Sequence, residues 1–173
     1  MKTLQAYKPF MYSLAIIVLF FGMILLYFSP MLEGKTLGQH DVAQYLGMSK
    51  ELNDYRDSTG NEAIWTNSMF SGMPGYLISV TYNNLIKVVH IVLKIDKEHP
   101  QMLAFLYFVC FFIALLFLKI PIWLSMLGAL FYGFSSYFFI IIEAGHITKA
   151  IALAYMPVII TTVVATYRGN FIL

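Results

Sequence analysis

Ile120-Pro-Ile-Trp-Leu-Ser-Met-Leu-Gly-Ala-Leu-Phe-Tyr-Gly-Phe-Ser-Ser-Tyr-Phe-Phe-Ile-Ile-Ile142 contains no Asp, Glu, Lys or Arg, and Glu143-Ala-Gly-His146 follows it before another apolar run opens at Ala150. An uncharged run near the ~20 residues that cross a hydrocarbon core as helix reads as a membrane span. Three further runs share the property: Pro9 to Leu32, His99 to Leu118 and Ala150 to Tyr167. Inside lipid a segment must satisfy its own backbone groups, so these runs are helices rather than buried strands. The composition agrees, with 60% hydrophobic, 17% aromatic and only 12% charged residues and a mean hydropathy of +0.73, far from the soluble average. The expected fold is an all-α, polytopic membrane protein in one transmembrane domain, residues 1–173. Its spans run over about 10–31, 101–118, 121–142 and 150–167, with a long outer loop over about 33–100 that carries interfacial amphipathic helices.

Short basic flanks set the orientation. Lys2 and Lys8 precede the first span, Lys119 stands between the second and third, and Arg168 follows the fourth. Alternate crossings put all of these in the cytoplasm, together with the N-terminus, and put Glu33 to Pro100 and the Glu143 to Lys149 turn on the other side. Lys149 is the dissenting charge, and a lysine at a helix start can snorkel. The first run is too long for the ~7–15-residue core of a cleavable signal and lacks a small-x-small exit, so it is read as a retained helix. Cys110, the sole cysteine, can form no disulfide within the chain and fits a packing role. A net charge of +2 with scattered basic residues excludes a nucleic-acid surface.

The long outer segment has no low-complexity tract. From Asn83 to Lys97, Leu85, Ile86, Val88, Val89, Val92, Leu93 and Ile95 cover most of a helix while Lys87, His90, Lys94 and Lys97 recur on one stripe, the pattern of a helix lying in the interface. A second helix is expected over Val42 to Asp57, with Asp54, Arg56 and Asp57 on a solvated face. Between them, Trp65-Thr-Asn-Ser-Met-Phe-Ser-Gly-Met-Pro-Gly-Tyr76 mixes aromatics with turn-forming Gly72, Pro74 and Gly75. It suits either the wall of a groove for a lipid or sugar or an interfacial loop anchored by Trp65, Phe70 and Tyr76. Ser125, Ala129, Gly133 and Ser136 form a small-residue face that allows close helix approach.

Asp41, beside His40, lies shortly beyond the first span; Glu143 closes the third, three residues before His146. Each has a plain structural use, as a solvated loop acid or a helix cap. Ionisable groups at membrane boundaries are nonetheless enriched in function. Two carboxylates and two histidines on one side offer a general base, or oxygen and imidazole ligands for a divalent ion, although no spacing here forms a metal motif.

Gly38-Gln-His-Asp41-Val-Ala-Gln44-Tyr45, Trp65-Thr-Asn67-Ser-Met-Phe-Ser-Gly72-Met-Pro74, and Phe134-Ser-Ser-Tyr137 leading into Glu143-Ala-Gly-His146-Ile-Thr-Lys149 are similar to segments of the YfhO family, especially its Bacteroidetes-like members. The whole arrangement resembles the N-terminal part of a GT-C membrane glycosyltransferase. The resemblance implies a multi-pass protein of the bacterial cytoplasmic (inner) membrane that transfers a sugar from a polyprenyl-phosphate donor to an acceptor outside the cytoplasm. It implies catalytic roles for Asp41, as the base that deprotonates the acceptor, and for Glu143. Substrate binding would fall to His40, Trp65, Asn67, His146 and Lys149, with Asp41, Glu143 and His146 the candidate ligands if a divalent cation serves as cofactor. The Asn83 to Lys97 helix would border the path of the lipid carrier. Family members are much longer, so the chain is expected to be a fragment acting with membrane lipids and with a missing C-terminal part or other membrane subunits. The alternative is a non-catalytic membrane component that binds lipid-linked sugar or assembles with other membrane proteins, for which Asp41 and Glu143 would be dispensable.

Overall fold

The computed structural model describes residues 2–79, 84–93, 95 and 99–169. The chain divides into two compact units, residues 1–38 with 94–173, and residues 39–93.

The first unit holds the apolar helices. Helix α1 (Lys2–Tyr27) is followed by the single turn α2 (Ser29–Leu32), with Pro30 in its first turn, where the missing N–H is not needed. Three helices are long and apolar enough to cross a membrane: Pro9–Tyr27 within α1, Pro100–Phe117 and Ile147–Tyr167. The fourth expected span differs from the sequence reading. It is two helices, Ile122–Gly133 and Ser136–Ala144, bent by 47°. Ser135 takes an extended backbone (φ −60°, ψ 127°), and the N–H of Ser135 closes the preceding helix by bonding Tyr132 O at 3.1 Å. The cause lies in Gly133-Phe-Ser-Ser136, since glycine and serine are poor helix formers and serine offers the backbone other partners.

Pro100–Phe117 is the centre of this unit: α1 and the helices at Ile122–Gly133, Ser136–Ala144 and Ile147–Tyr167 all pack on it. Lipid tails are as apolar as leucine, so close packing rather than exclusion from water must hold such helices together. Aromatic rings supply much of it. Phe20 meets Phe108 at 5.4 Å and Phe112 at 5.8 Å, and Tyr107 stacks on Phe138 at 4.2 Å. The small face expected from the sequence is used here. Ser125, Ala129 and Gly133 are buried, and a methyl group added at Gly133 would stand 2.7 Å from the ring of Phe108; Ser136, beyond the break, is exposed.

The second unit begins with α3 (His40–Met48) and α4 (Lys50–Thr59), where the sequence reading has one helix starting at Val42. The two are parted at Ser49, which is fully buried. The chain continues through a two-stranded antiparallel hairpin, β1 (Trp65–Thr66) paired with β2 (Met73–Pro74), and a 3-10 turn at Gly75–Leu77. The hairpin explains the glycines. Gly72 sits at φ 114°, and a Cβ there would lie 2.7 Å from Trp65 Nε1; a Cβ at Gly75 would lie 2.5 Å from the carbonyl oxygen of Ala63.

Helix α5 (Leu85–Val92) opens at Asn84, whose side chain accepts from the Lys87 N–H at 2.8 Å. It is shorter than the expected Asn83 to Lys97, and Asn83, Lys94 and Lys97 lie outside the described residues. Its faces are inverted relative to a helix of a water-soluble protein. Leu85, Ile86, Val88, Val89, Ile91 and Val92 are exposed, while Lys87 and His90 are half-buried. Burial holds the His90 imidazole below its usual pKa. An outward apolar face is what an interfacial helix presents to acyl chains. A spin label on Val88→Cys, in a Cys110→Ala background reconstituted in lipid, is therefore expected to be relaxed more by dissolved oxygen than by a polar nickel chelate. The opposite order would place α5 in water.

The remaining helices are numbered α6 (Pro100–Phe117), α7 (Ile122–Gly133), α8 (Ser136–Ala144) and α9 (Ile147–Tyr167).

Candidate functional site

Three clusters carry the residues singled out in the sequence. The first is the joint between α8 and α9. Glu143 lies in the last turn of α8, Gly145 terminates that helix in the left-handed conformation (φ 92°), and His146 occupies the N-cap position of α9. Left-handed backbone at this point favours glycine, and it lets the His146 N–H return to Ile141 O at 3.1 Å while the Ile147 N–H bonds Gly145 O at 2.8 Å. The joint thus takes only Gly145 and His146 between the two helices and leaves Glu143, His146 and Lys149 exposed. His146 makes no side-chain capping bond to its helix. The Lys149 ammonium stands 5.6 Å from the centroid of the Tyr137 ring, within reach of a cation–π attraction. One carboxylate, one imidazole and one ammonium thus occur, all exposed, within one short stretch of chain at this joint.

The second cluster is the start of α3. The sequence reading has Asp41 as a loop acid, whereas it lies in the first turn of a helix, where the helix dipole favours its negative charge. It is half-buried. His40 is exposed, and its Nε2 is 2.8 Å from the Gln44 side-chain amide nitrogen one turn on.

The third is the hairpin. The Trp65 indole N–H donates to Asn67 Oδ1 at 3.2 Å, so these two residues fix one another, and Trp65 remains more than half exposed. The expected solvated face on α4 is only partly that. Lys50 and Asp54 pair at 2.7 Å in solvent, but Arg56 is half-buried and donates from Nε and Nη2 to the two oxygens of Glu62, both at 2.7 Å, and from Nη1 to Asn53 at 2.9 Å. The bidentate pair raises the Arg56 pKa above its usual value, Glu62 being the main cause.

Glu51, which the sequence reading passes over, organises this unit. Its Oε2 accepts from the Thr66 hydroxyl and from the backbone N–H groups of Asn67 (3.1 Å) and Ser68 (3.0 Å), clamping the hairpin to α4. The Thr66 hydroxyl, ahead of the two backbone donors, holds the Glu51 carboxyl below the usual carboxylate range against a smaller effect of desolvation. A depressed folded-state pKa gives stability that is present above the unfolded pKa and lost as pH falls through the folded one. In a Trp123→Phe background, where Trp65 is the remaining tryptophan, Trp65 emission should be flat from pH 7 down to the usual carboxylate range and change below it. Glu51→Gln should show the altered emission at neutral pH; an unchanged profile in that variant would remove the clamp.

Asp41, His40, Trp65 and Asn67 belong to one unit, and Glu143, His146 and Lys149 to the other. Among the described residues no group of three His, Cys, Asp or Glu side chains is arranged to hold a metal ion. Glu143 and His146 by themselves supply fewer ligands than the about six oxygens a hard cation takes. No family model, curated protein or solved structure matches the chain.

Proposed function

We propose that this chain forms part of a membrane glycosyltransferase that takes its sugar from a polyprenyl-phosphate donor on the outer face of the bacterial cytoplasmic membrane, with the N-terminus in the cytoplasm. The observation that carries this reading is the α8–α9 joint. Glu143, His146 and Lys149 are all exposed at the junction of two apolar helices, and polar groups at such boundaries are enriched in ligand and ion handling. Lys149 and His146 suit the diester phosphate of a lipid carrier. Asp41 is assigned the acceptor side. Its carboxylate takes the proton of an acceptor hydroxyl, the hydroxyl oxygen bonds the anomeric carbon, and the bond from that carbon to the lipid phosphate breaks, releasing polyprenyl phosphate. The outward apolar face of α5 supports contact with the same lipid phase from which the carrier comes.

The test is donor consumption in membranes from the native host. Radiolabelled polyprenyl-phosphate sugar should pass its label to a non-lipid product when the gene is intact, and the lipid-linked sugar should accumulate when it is deleted. Equal transfer in both membranes would return the chain to a non-catalytic role.

A further inference from the structure

The unit of residues 39–93 contains a shallow cavity of about 370 Å³ between α4 and the hairpin, lined by Glu51, Leu52, Tyr55, Glu62, Ala63, Ile64 and Trp65. The volume is at the lower end of the ~300–1,000 Å³ usual for small-ligand sites. Three features of its wall are already fixed before anything binds.

Trp65 is one. The indole edge at Nε1, Cε2 and Cζ2 is seated on Gly72, its N–H is committed to Asn67, and the ring is nevertheless 55% exposed. It is a positioned apolar surface. Glu51 is the second. All three of its hydrogen bonds converge on Oε2, so the carboxylate is immobilised while Oε1 keeps its accepting capacity. Tyr55 is the third: it is 46% exposed, and a phenol can both donate and accept. The other carboxylate, Glu62, is neutralised by the bidentate bond to Arg56, so the cavity carries the charge of Glu51 alone.

A flat apolar surface beside an ionised acceptor and a phenol is the complement of a pyranose ring, which has apolar C–H faces and a rim of hydroxyl donors. We infer that this cavity is a monosaccharide-binding subsite, with the ring against Trp65, a sugar hydroxyl donating to Glu51 Oε1, and Tyr55 bonding a neighbouring hydroxyl. The assignment of that sugar as the acceptor rests on the transferase reading above; the binding of a sugar does not.

Tryptophan emission of the Trp123→Phe chain in lipid nanodiscs reads the site directly, titrated with glucose, mannose, galactose and N-acetylglucosamine, and with glucosamine and methylammonium as cationic controls. A saturable change with at least one neutral sugar is expected. Tyr55→Phe, which leaves the Glu51 clamp untouched, should weaken it several-fold; Glu51→Gln should weaken it by at least about tenfold, the usual scale for a charge-assisted hydrogen bond, because it also releases the hairpin that carries Trp65. Circular dichroism and the sugar-free Trp65 emission of Tyr55→Phe establish that its unit is intact. Absence of saturation by every neutral sugar up to about 100 mM, well above a millimolar affinity, overturns the inference. So does a response to the two cations alone, which would make the cavity an amine site. If a neutral sugar binds but membranes transfer none, the subsite stands and the transferase reading fails. If transfer occurs and Tyr55→Phe and Glu51→Gln leave the acceptor KM unchanged, the subsite falls and the transferase stands.

Discussion

Asp41→Asn, introduced at the chromosomal locus and assayed in native membranes, is expected to lower sugar transfer by about 10²–10⁴-fold, the range over which a positioned general base contributes. The substitution keeps the size of the side chain and its place in the first turn of α3, but an amide cannot take the proton of the acceptor. Binding of the polyprenyl-phosphate donor should therefore be preserved, since its phosphate is assigned to Lys149 and His146. The split between turnover and donor binding is the informative readout. A variant with full turnover would leave Asp41 as a residue that favours the helix start and nothing more. One that loses both transfer and donor binding would place Asp41 on the donor side instead.

Gly133→Ala should cost about 1–3 kcal/mol, as overpacking of a filled interior does, whereas Gly22→Ala should be neutral or slightly stabilising. The contrast follows from surroundings. A Cβ at Gly133 would stand 2.7 Å from Cε2 and Cζ of Phe108, while at Gly22 nothing lies within 4 Å. Phe108 has no room to retreat, since it is fully buried and held by Phe20 at 5.4 Å and Phe134 at 4.9 Å. Alanine also forms helix better than glycine, which is the whole effect expected at Gly22. Unfolding of the two variants in mixed micelles by increasing dodecyl sulfate gives the comparison. Equal stability would mean that α6 and α7 are not held by the contact at Gly133.

The apolar helices were legible because an uncharged run of spanning length has one economical structure in lipid. The break at Ser135 was not, since nothing in Gly133-Phe-Ser-Ser136 marks it beyond weak helix propensity, and apolar composition runs straight through it. Helix α5 was legible from its stripe of Lys87 and His90; the direction in which that stripe faces was settled only by folding. The hairpin of Trp65–Thr66 with Met73–Pro74 is too short to leave a period-two pattern, so its turn residues were visible and its pairing was not. Glu51 escaped for a different reason. Its partners Thr66, Asn67 and Ser68 are 15 to 17 positions away, and such a contact has no signature in local spacing. At the candidate site, the closeness of Glu143, His146 and Lys149 along the chain was visible in the sequence, while the left-handed turn at Gly145 that shapes the joint is a property of the fold.

The proposed transfer outside the cytoplasm requires Asp41 and the Glu143–Lys149 joint both to be on the outer side of the membrane, as the short basic flanks Lys2, Lys8, Lys119 and Arg168 lead one to expect. Cysteines placed singly at Gly60 and Glu143, in a Cys110→Ala background, test this with a membrane-impermeant thiol reagent applied to intact cells whose outer barrier has been opened. Both positions are predicted to label before lysis, with a cysteine at Lys119 labelling only after it. Protection of either outer position until lysis would put the two acids in different compartments or reverse the orientation, and would contradict the account.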